Sequence, residues 1–198
     1  MIFQYEYKFS LDKIIKCSNS NNLNILDFGC GIGNWKIEDI KSKHIKKITL
    51  FDENKELIKI LKIKYRSNKV DINFNYNKVV KSKFFNLIIF SSVIQYMSQK
   101  ELFELITKLK KNKKKLIIII TDIPYLPRFI EFLLLPFFNF KRFLFTLKLI
   151  FTKSYNRINY FTYNKKYFIR FKNNFAIEYL DNLHDVKFLR YSAILKLR

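Results

Sequence analysis

The sequence contains few of the residues that form disulfide bonds and tight turns. Its 198 residues include three glycines, three prolines and two cysteines, Cys17 and Cys30. Two cysteines cannot build a framework of several disulfides, and no cysteine and histidine spacing resembles a zinc site. We therefore expect no bound metal and a reducing environment, which is typical of a cytoplasmic protein.

Long uncharged apolar runs are also missing. Residues 1–9 interleave tyrosines and charged residues with apolar ones, a pattern that is not typical of a secretory signal. The most apolar stretch, residues 129–151, contains charged side chains such as Glu131 and Arg142. A helix that crosses a membrane needs ~18 residues without such charges. The sequence therefore predicts no membrane span.

Positive charge is in large excess, with 38 Lys and Arg against 16 Asp and Glu and a formal net charge of +22. Such an excess favours nucleic acid or an anionic membrane as a partner. However, lysines dominate, the arginines are scattered, and phosphate-reading surfaces prefer the guanidinium fork. We interpret the basic run at residues 108–115 as a solvated helix end. Nucleic acid is therefore the disfavoured partner.

Apolar and amphipathic stretches alternate along the first two thirds of the chain. With 49% hydrophobic residues, the chain is expected to fold as a single domain over residues 1–198. The predicted strands are residues 24–28, 47–51, 71–76, 85–90 and 115–121. The predicted helices are residues 34–42, residues 55–65 and a helix that begins at the capping box of Ser98 and Glu101.

The alternation stops after the isoleucine-rich strand. All three prolines, Pro124, Pro127 and Pro136, follow it. We predict a helical cap insertion at residues 123–163, then a helix at 162–172 and strands at 175–180 and 191–197. The pattern predicts an α/β fold with a doubly wound, mostly parallel, seven-stranded sheet. The functional site is expected beyond the carboxyl ends of the strands.

All three glycines lie within eight residues, at positions 29, 31 and 33. A tight turn needs one glycine, whereas three at alternate positions predict close approach of a ligand to bare backbone. A dinucleotide fingerprint would place its third glycine at position 34, which is Asn34. The spacing Asp-x-Gly-x-Gly-x-Gly therefore indicates a different ligand.

The stretch from Leu26 to Trp35 resembles motif I of the class I S-adenosylmethionine-dependent methyltransferases. The resemblance extends over roughly residues 23–122 and loosely over the C-terminal strands. It implies a Rossmann-like methyltransferase fold and S-adenosylmethionine as the cofactor. It also implies that the backbone from Phe28 through Gly29, Cys30 and Gly31 to Gly33 lies against the cofactor.

The resemblance assigns further cofactor contacts to side chains that follow the strands. Asp27 is expected to hold the turn and the ammonium end of the cofactor. Asp52, with Glu53 beside it, is expected to bind the ribose hydroxyls at the end of the second strand. Asn77 is the expected adenine contact, and Ser91 is expected to meet the amino-acid end.

Residues 85–96 are similar to the fourth motif of the family, although Asn86 stands where an acidic residue is usual. Gln95 and Tyr96 are the expected catalytic pair, facing the methyl acceptor. The histidines do not provide a base: His44 precedes the second strand, on the far side of the sheet, and His184 lies in a late loop. We can therefore name no dedicated general base.

The missing motifs narrow the range of possible methyl acceptors. The turn after the fourth strand lacks the Pro-Pro pair of enzymes that methylate exocyclic amines of bases, and it lacks a nucleophilic cysteine. We expect methyl transfer to a small or lipid-linked metabolite, mainly by proximity and orientation. RNA methylation and a non-catalytic cofactor-binding scaffold are the alternatives. Residues 126–151 could also form a peripheral membrane contact, and the sequence leaves the oligomeric state open.

Overall fold

A computed structural model describes residues 15, 18, 21–33, 35–111, 113–125, 144, 161–180 and 190–198. Its strands are β1 (Leu23–Phe28), β2 (Ile45–Phe51), β3 (Val70–Asn73), β4 (Leu87–Ser91), β5 (Ile117–Pro124), β6 (Phe175–Leu180) and β7 (Arg190–Leu197). They form one seven-stranded sheet in the order β3-β2-β1-β4-β5-β7-β6. Strands β1 to β5 are parallel, and β7 runs antiparallel to both β5 and β6. The predicted mostly parallel, seven-stranded sheet is confirmed.

The helices connect the parallel strands. They are α1 (Ile37–Lys41), α2 (Lys55–Lys64), α3 (Tyr76–Lys81) and α4 (Gln99–Lys110), with 3₁₀ helices at Ile94–Tyr96 and Lys165–Phe171. The predicted capping box of α4 is confirmed, because Ser98 and Glu101 exchange hydrogen bonds. Asn54 caps α2 by accepting a hydrogen bond from the Glu56 N–H. The predicted helix at 162–172 is a 3₁₀ helix instead.

The prediction of an extended run from Asp71 to Tyr76 was wrong in its second half. Strand β3 ends at Asn73, and Asn75 begins helix α3 by accepting a hydrogen bond from the Lys78 N–H. Val79 and Val80 of this helix are buried in the core. The Asn75 cap and the burial of one helix face therefore outweigh the strand preference of the aromatic residues Phe74 and Tyr76.

The sheet separates two apolar clusters. Strand residues such as Leu26 and Phe90 pack on one face with α3, α4 and the 3₁₀ helix at 165–171. Alternate residues such as Ile25 and Ile89 pack on the other face with α1 and α2. Helices on both faces are the doubly wound arrangement that the sequence predicts.

The carboxyl edge of the sheet is aligned by aromatic residues. Phe28 of β1 is in register with Phe51 of β2 and Phe90 of β4. The Phe28 ring centroid lies 4.7 Å from that of Phe51 and 5.1 Å from that of Phe90. Residues that follow these strands therefore emerge side by side at one edge.

The predicted cap at 123–163 and the membrane contact at 126–151 lie almost entirely outside the described residues. Within the described ranges, every helix is too short or too polar to cross a bilayer.

Candidate functional site

A glycine turn follows β1 at the carboxyl edge. Gly29, Gly31 and Gly33 have φ angles of 70°, 57° and 69°, a left-handed conformation that favours glycine. The N–H groups of Gly29 and Cys30 both donate to the Phe51 carbonyl, at 2.8 and 3.0 Å. These bonds fasten the turn to the end of β2.

Two further N–H groups of the turn are also used within the chain. The Gly31 N–H donates to Oδ2 of Asp52 at 3.0 Å, and the Gly33 N–H donates to the Cys30 carbonyl at 2.9 Å. A phosphate-binding loop keeps such N–H groups directed at its ligand. This turn is therefore poorly suited to a pyrophosphate.

The three glycines have different neighbours. A Cβ atom added at Gly29 would lie 2.6 Å from a Val93 methyl group, and one added at Gly33 would lie 2.6 Å from the Tyr65 ring. A Cβ added at Gly31 would meet nothing within 4 Å. Packing inside the protein thus requires Gly29 and Gly33, whereas Gly31 borders open space that a ligand can occupy.

Lys64, at the end of α2, and Tyr65, which follows it, hold the far end of the turn. Lys64 donates hydrogen bonds from Nζ to the carbonyls of Ile32, at 3.2 Å, and Gly33. The Tyr65 hydroxyl, just beyond the helix, donates to the Trp35 carbonyl at 3.0 Å. Sequence reasoning missed Lys64 and Tyr65, because only the folded chain brings these residues, about 30 positions along the chain, beside the glycine turn.

Asp27 is a buried acid at the end of β1, with 8% of its surface exposed. Burial raises the pKa of its carboxyl group to about 6. The Trp35 indole Nε1, 2.9 Å from Oδ2, donates a hydrogen bond that lowers the pKa, whereas the nearby negative charge of Asp52 raises it. The ionised carboxylate is therefore costly to the fold, which is typical of a group kept for binding or catalysis.

We expect Asp27→Asn to raise the free energy of unfolding at pH 7.5 by up to about 3 kcal/mol. An acid whose pKa is higher in the folded protein stabilises the fold below its unfolded pKa of 3.8 and loses that contribution as pH rises through about 6. The gap between variant and wild type should therefore widen from pH 4 to pH 7. Urea unfolding across this range measures it.

Asp71→Asn is the matched control for this prediction, because it removes one negative charge from edge strand β3, away from the turn. The Asp27→Asn gap should change with pH by more than the Asp71→Asn gap does. An Asp27→Asn gap that does not change with pH would contradict the assignment of a raised pKa to Asp27.

Asp52 connects the glycine turn with α2. Its Oδ2 accepts the Gly31 N–H, and its Oδ1 accepts the Asn54 N–H at 2.9 Å. The neighbouring Glu53 is exposed, as is Asn77 in the first turn of α3. Asp52 is therefore held firmly beside the turn, whereas Glu53 and Asn77 extend into solvent at the same edge.

Cys30 does not provide a nucleophile. Burial, together with the nearby carboxyl groups of Asp27 and Asp52, raises the pKa of its thiol far above the ordinary value. A thiol that stays neutral is a weak nucleophile. Cys30 thus contributes its backbone: its N–H donates to the Phe51 carbonyl of β2, and its carbonyl accepts the Gly33 N–H within the turn.

The residues after β4 lie at the same edge. The Ser91 hydroxyl accepts a hydrogen bond from the Thr121 hydroxyl at 3.2 Å. Gln95 is buried, and Tyr96 is 50% exposed in the same 3₁₀ helix. The two predicted acceptor-facing residues therefore differ: Tyr96 is accessible, whereas Gln95 is part of the packed edge.

The end of the long excursion after β5 is fastened to this helix. The Phe161 N–H donates to the Gln95 carbonyl at 2.8 Å, and the Tyr163 N–H donates to the Pro124 carbonyl at 2.9 Å. The Tyr163 hydroxyl donates to the Met97 carbonyl at 2.5 Å. The chain therefore leaves and returns at the carboxyl edge, beside Gln95.

Two sequence features lie at the opposite edge. His44 immediately precedes β2, as predicted, with Nδ1 2.9 Å from Oδ1 of Asn21. Asn86 precedes β4; its Oδ1 accepts the Asn24 N–H and its Nδ2 donates to the Asn22 carbonyl, both at 2.9 Å. Asn86 is therefore a clamp between the amino ends of β1 and β4, and His184 lies outside the described residues.

The methyltransferase small domain family matches residues 12–117 of this chain. No curated protein sequence matches it significantly.

Solved structures share its fold. Magnesium protoporphyrin IX methyltransferase from Synechocystis PCC 6803 with bound SAM aligns over 95% of this chain and 76% of its own, with a TM-score of 0.62 and 11% identity. The N-methyltransferase NodS from Bradyrhizobium japonicum WM9 aligns over 94% and 93%, with a TM-score of 0.60 and 11% identity. A SAM-dependent methyltransferase from Methanosarcina mazei aligns over 93% and 96%, with a TM-score of 0.59 and 14% identity.

Proposed function

The chain belongs to the methyltransferase small domain family and uses S-adenosylmethionine as its methyl donor; from this premise we propose that it methylates a small or lipid-linked metabolite. The reaction depends mainly on proximity and orientation of donor and acceptor. Residues 123–163 form the cap over the acceptor in this proposal.

The residues at the glycine turn fit the cofactor. Gly31 borders open space, and the carboxyl groups of Asp27 and Asp52 both lie beside the turn. Four N–H groups of the turn, those of Gly29, Cys30, Gly31 and Gly33, already donate within the chain and do not form a strong anion site. Two acids beside a paired backbone suit a ligand that carries positive charge and hydroxyl groups.

When bound, the donor supplies a methyl group already activated by a positively charged sulfur. The chain therefore needs to bind, orient and exclude water rather than provide strong acid or base catalysis. We assign the ammonium end to Asp27, the ribose hydroxyls to Asp52 and the amino-acid end to Ser91. The backbone from Phe28 to Gly33, with Glu53 and Asn77 at the rim, completes the cofactor site. Gln95 and Tyr96 are the proposed acceptor-side residues.

The path of the chain after β5 is the observation that supports a metabolite acceptor. Apart from residue 144, the described chain stops at Tyr125, directly after β5, and resumes at Phe161, whose N–H donates to the Gln95 carbonyl at the carboxyl edge. The intervening residues 126–160 are rich in Phe, Leu and Tyr. An apolar insertion that begins and ends beside the proposed methyl site suits an apolar acceptor, and the porphyrin in the name of one structural neighbour is of that kind.

The alternatives have less support. The basic run at residues 108–115 precedes β5 at the amino edge, and Lys113 donates to the carbonyls of Ser82 and Phe85 at 2.9 and 3.0 Å. Burial lowers the pKa of Lys113 to about 8. At least this lysine is thus part of the packed chain and not a free phosphate ligand. Asn86, the departure that favoured a non-catalytic scaffold, also lies at the amino edge.

Calorimetry with S-adenosylmethionine and S-adenosylhomocysteine tests the cofactor site, and we expect both ligands to bind. Transfer of a radiolabelled methyl group is then compared among a lipid extract, a polar metabolite extract and total RNA. Label in either metabolite fraction supports the proposal. Label confined to RNA would overturn the acceptor class, and binding without transfer to any fraction would favour a scaffold.

A further inference from the structure

Two residues at the carboxyl edge adopt a backbone conformation that is costly for them. Ser92 has a φ of 56° and Asp122 a φ of 60°; within the described ranges, they are the non-glycine residues with positive φ. Such strain costs about 1–3 kcal/mol per residue and concentrates at binding sites. Backbone strain at two neighbouring strand ends therefore points to a binding site there.

The two strained residues contact each other. The Ser92 hydroxyl donates to Oδ2 of Asp122 at 2.6 Å, and the Ser92 N–H donates to the Thr121 carbonyl at 3.3 Å. Asp122 is 3% exposed. A carboxylate can accept about four hydrogen bonds, so its bonds within the chain do not exclude one more from a ligand.

A bulge in β5 sets the direction of Asp122. Ile120 pairs with Ala193 and Ile123 pairs with Tyr191, so Thr121 and Asp122 together oppose the single residue Ser192 of β7. Bulges of this kind redirect side chains and are common beside active sites.

Ser192 provides a second, independent sign of a ligand. Its side chain is fully buried, and its hydroxyl has no hydrogen-bond partner among the described residues. Buried hydroxyl groups are nearly always paired, and an unpaired one costs about 1–3 kcal/mol. A polar ligand group between the ends of β5 and β7 would satisfy it.

The pair also lies next to the glycine turn. Ser92 immediately precedes Val93, whose methyl groups contact the position of Gly29. Ser91 and Thr121, whose hydroxyl groups are hydrogen-bonded to each other, extend the row of polar side chains along the same edge. The strained pair is therefore located between the proposed cofactor site and the start of the cap.

We propose that Ser92, Asp122 and Ser192 form the subsite that binds the reactive group of the methyl acceptor, and that this group is an amine or a hydroxyl. The Asp122 carboxylate accepts a hydrogen bond from the N–H or O–H of the acceptor and orients it. A carboxylate acceptor group is disfavoured there, because two negative charges would lie together in a buried place. The inference rests on the proposed function and specifies its acceptor side.

Sinefungin provides a probe that does not require the acceptor. It carries an amine at the position of the transferred methyl group, which S-adenosylhomocysteine lacks. We expect the ratio of sinefungin affinity to S-adenosylhomocysteine affinity to fall about tenfold in Asp122→Asn, because a charged hydrogen bond becomes a neutral one. The affinity for S-adenosylhomocysteine should change less than about twofold. Calorimetry measures both.

Asp122→Gly is the second variant, since glycine adopts a φ of 60° without strain and keeps the fold if asparagine does not. It should lose the sinefungin preference to the same extent, whereas Asp71→Asn on β3 should keep it. Equal losses for both ligands, or an unchanged ratio, would overturn the subsite. If wild type binds neither ligand, the proposed function itself fails, which is a distinguishable result.

Discussion

We expect Gly29→Ala to lower the free energy of unfolding by about 2–4 kcal/mol. The added methyl group would lie 2.6 Å from one Val93 methyl carbon and 3.0 Å from the other, at a φ of 70°. Overpacking and left-handed strain therefore add together. Urea unfolding, followed by circular dichroism, measures the loss.

A double-mutant cycle separates the two causes. Adding Val93→Ala to Gly29→Ala should recover about 1–2 kcal/mol, since it removes both clashing carbons and leaves only the backbone strain. No recovery would show that Val93 is not the reason for glycine at position 29.

Gly31→Ala is the matched comparison. Its φ of 57° imposes similar strain, yet the new methyl group meets no atom within 4 Å. We expect a loss of only about 1 kcal/mol in stability, with an affinity for S-adenosylhomocysteine at least about tenfold lower because the methyl group fills space that the ligand needs. An unchanged affinity would mean that the cofactor does not approach Gly31.

Asp52→Asn is expected to weaken S-adenosylhomocysteine binding by about ten- to a hundredfold. The carboxylate accepts two backbone N–H groups, from Gly31 and Asn54, one on each oxygen. An amide has a single acceptor oxygen, so one of these bonds is lost together with the charge that would bind the ribose hydroxyls. Calorimetry at pH 7.5 measures the change.

Glu53→Gln and Asp71→Asn complete this comparison. Glu53 is exposed beside Asp52, and we expect its substitution to lower the affinity by at most about twofold, because exposed charges are well screened. Asp71→Asn should have no effect. If Glu53→Gln costs as much as Asp52→Asn, the ribose assignment belongs to Glu53 as well.

Much of the architecture could be predicted because the patterns that specify it are local. The isoleucine-rich run before Pro124 is too continuous for a half-exposed strand, and Ser98 and Glu101 form a capping box within one helical turn. The concentration of glycine at positions 29–33 identified the turn and its edge. The same local reasoning failed after Asn73, where Phe74 and Tyr76 favoured a strand although Asn75 caps a helix there.

Other features could not be predicted, because their partners are distant in the sequence. Asn86 suggested a degenerate motif, yet it contacts residues more than 60 positions away at the far edge of the sheet. Packing requires glycine at position 29 and not at position 31, because Val93 lies against Gly29 only. The identities of Ser92 and Asp122 do not indicate a left-handed backbone or a hydrogen bond between these residues. The hydrogen bond forms because the parallel strands β4 and β5 end side by side.

Sequence periodicity and turn composition were therefore sufficient for the sheet, for most of its helices and for the edge that carries the glycine turn, since each depends on neighbours within one or two turns of chain. Only the folded chain decided which glycine borders open space, which acid is buried and which strand ends share a strained hydrogen bond. These properties depend on contacts across the sheet, where packing and desolvation, rather than local preference, determine the energy of each group.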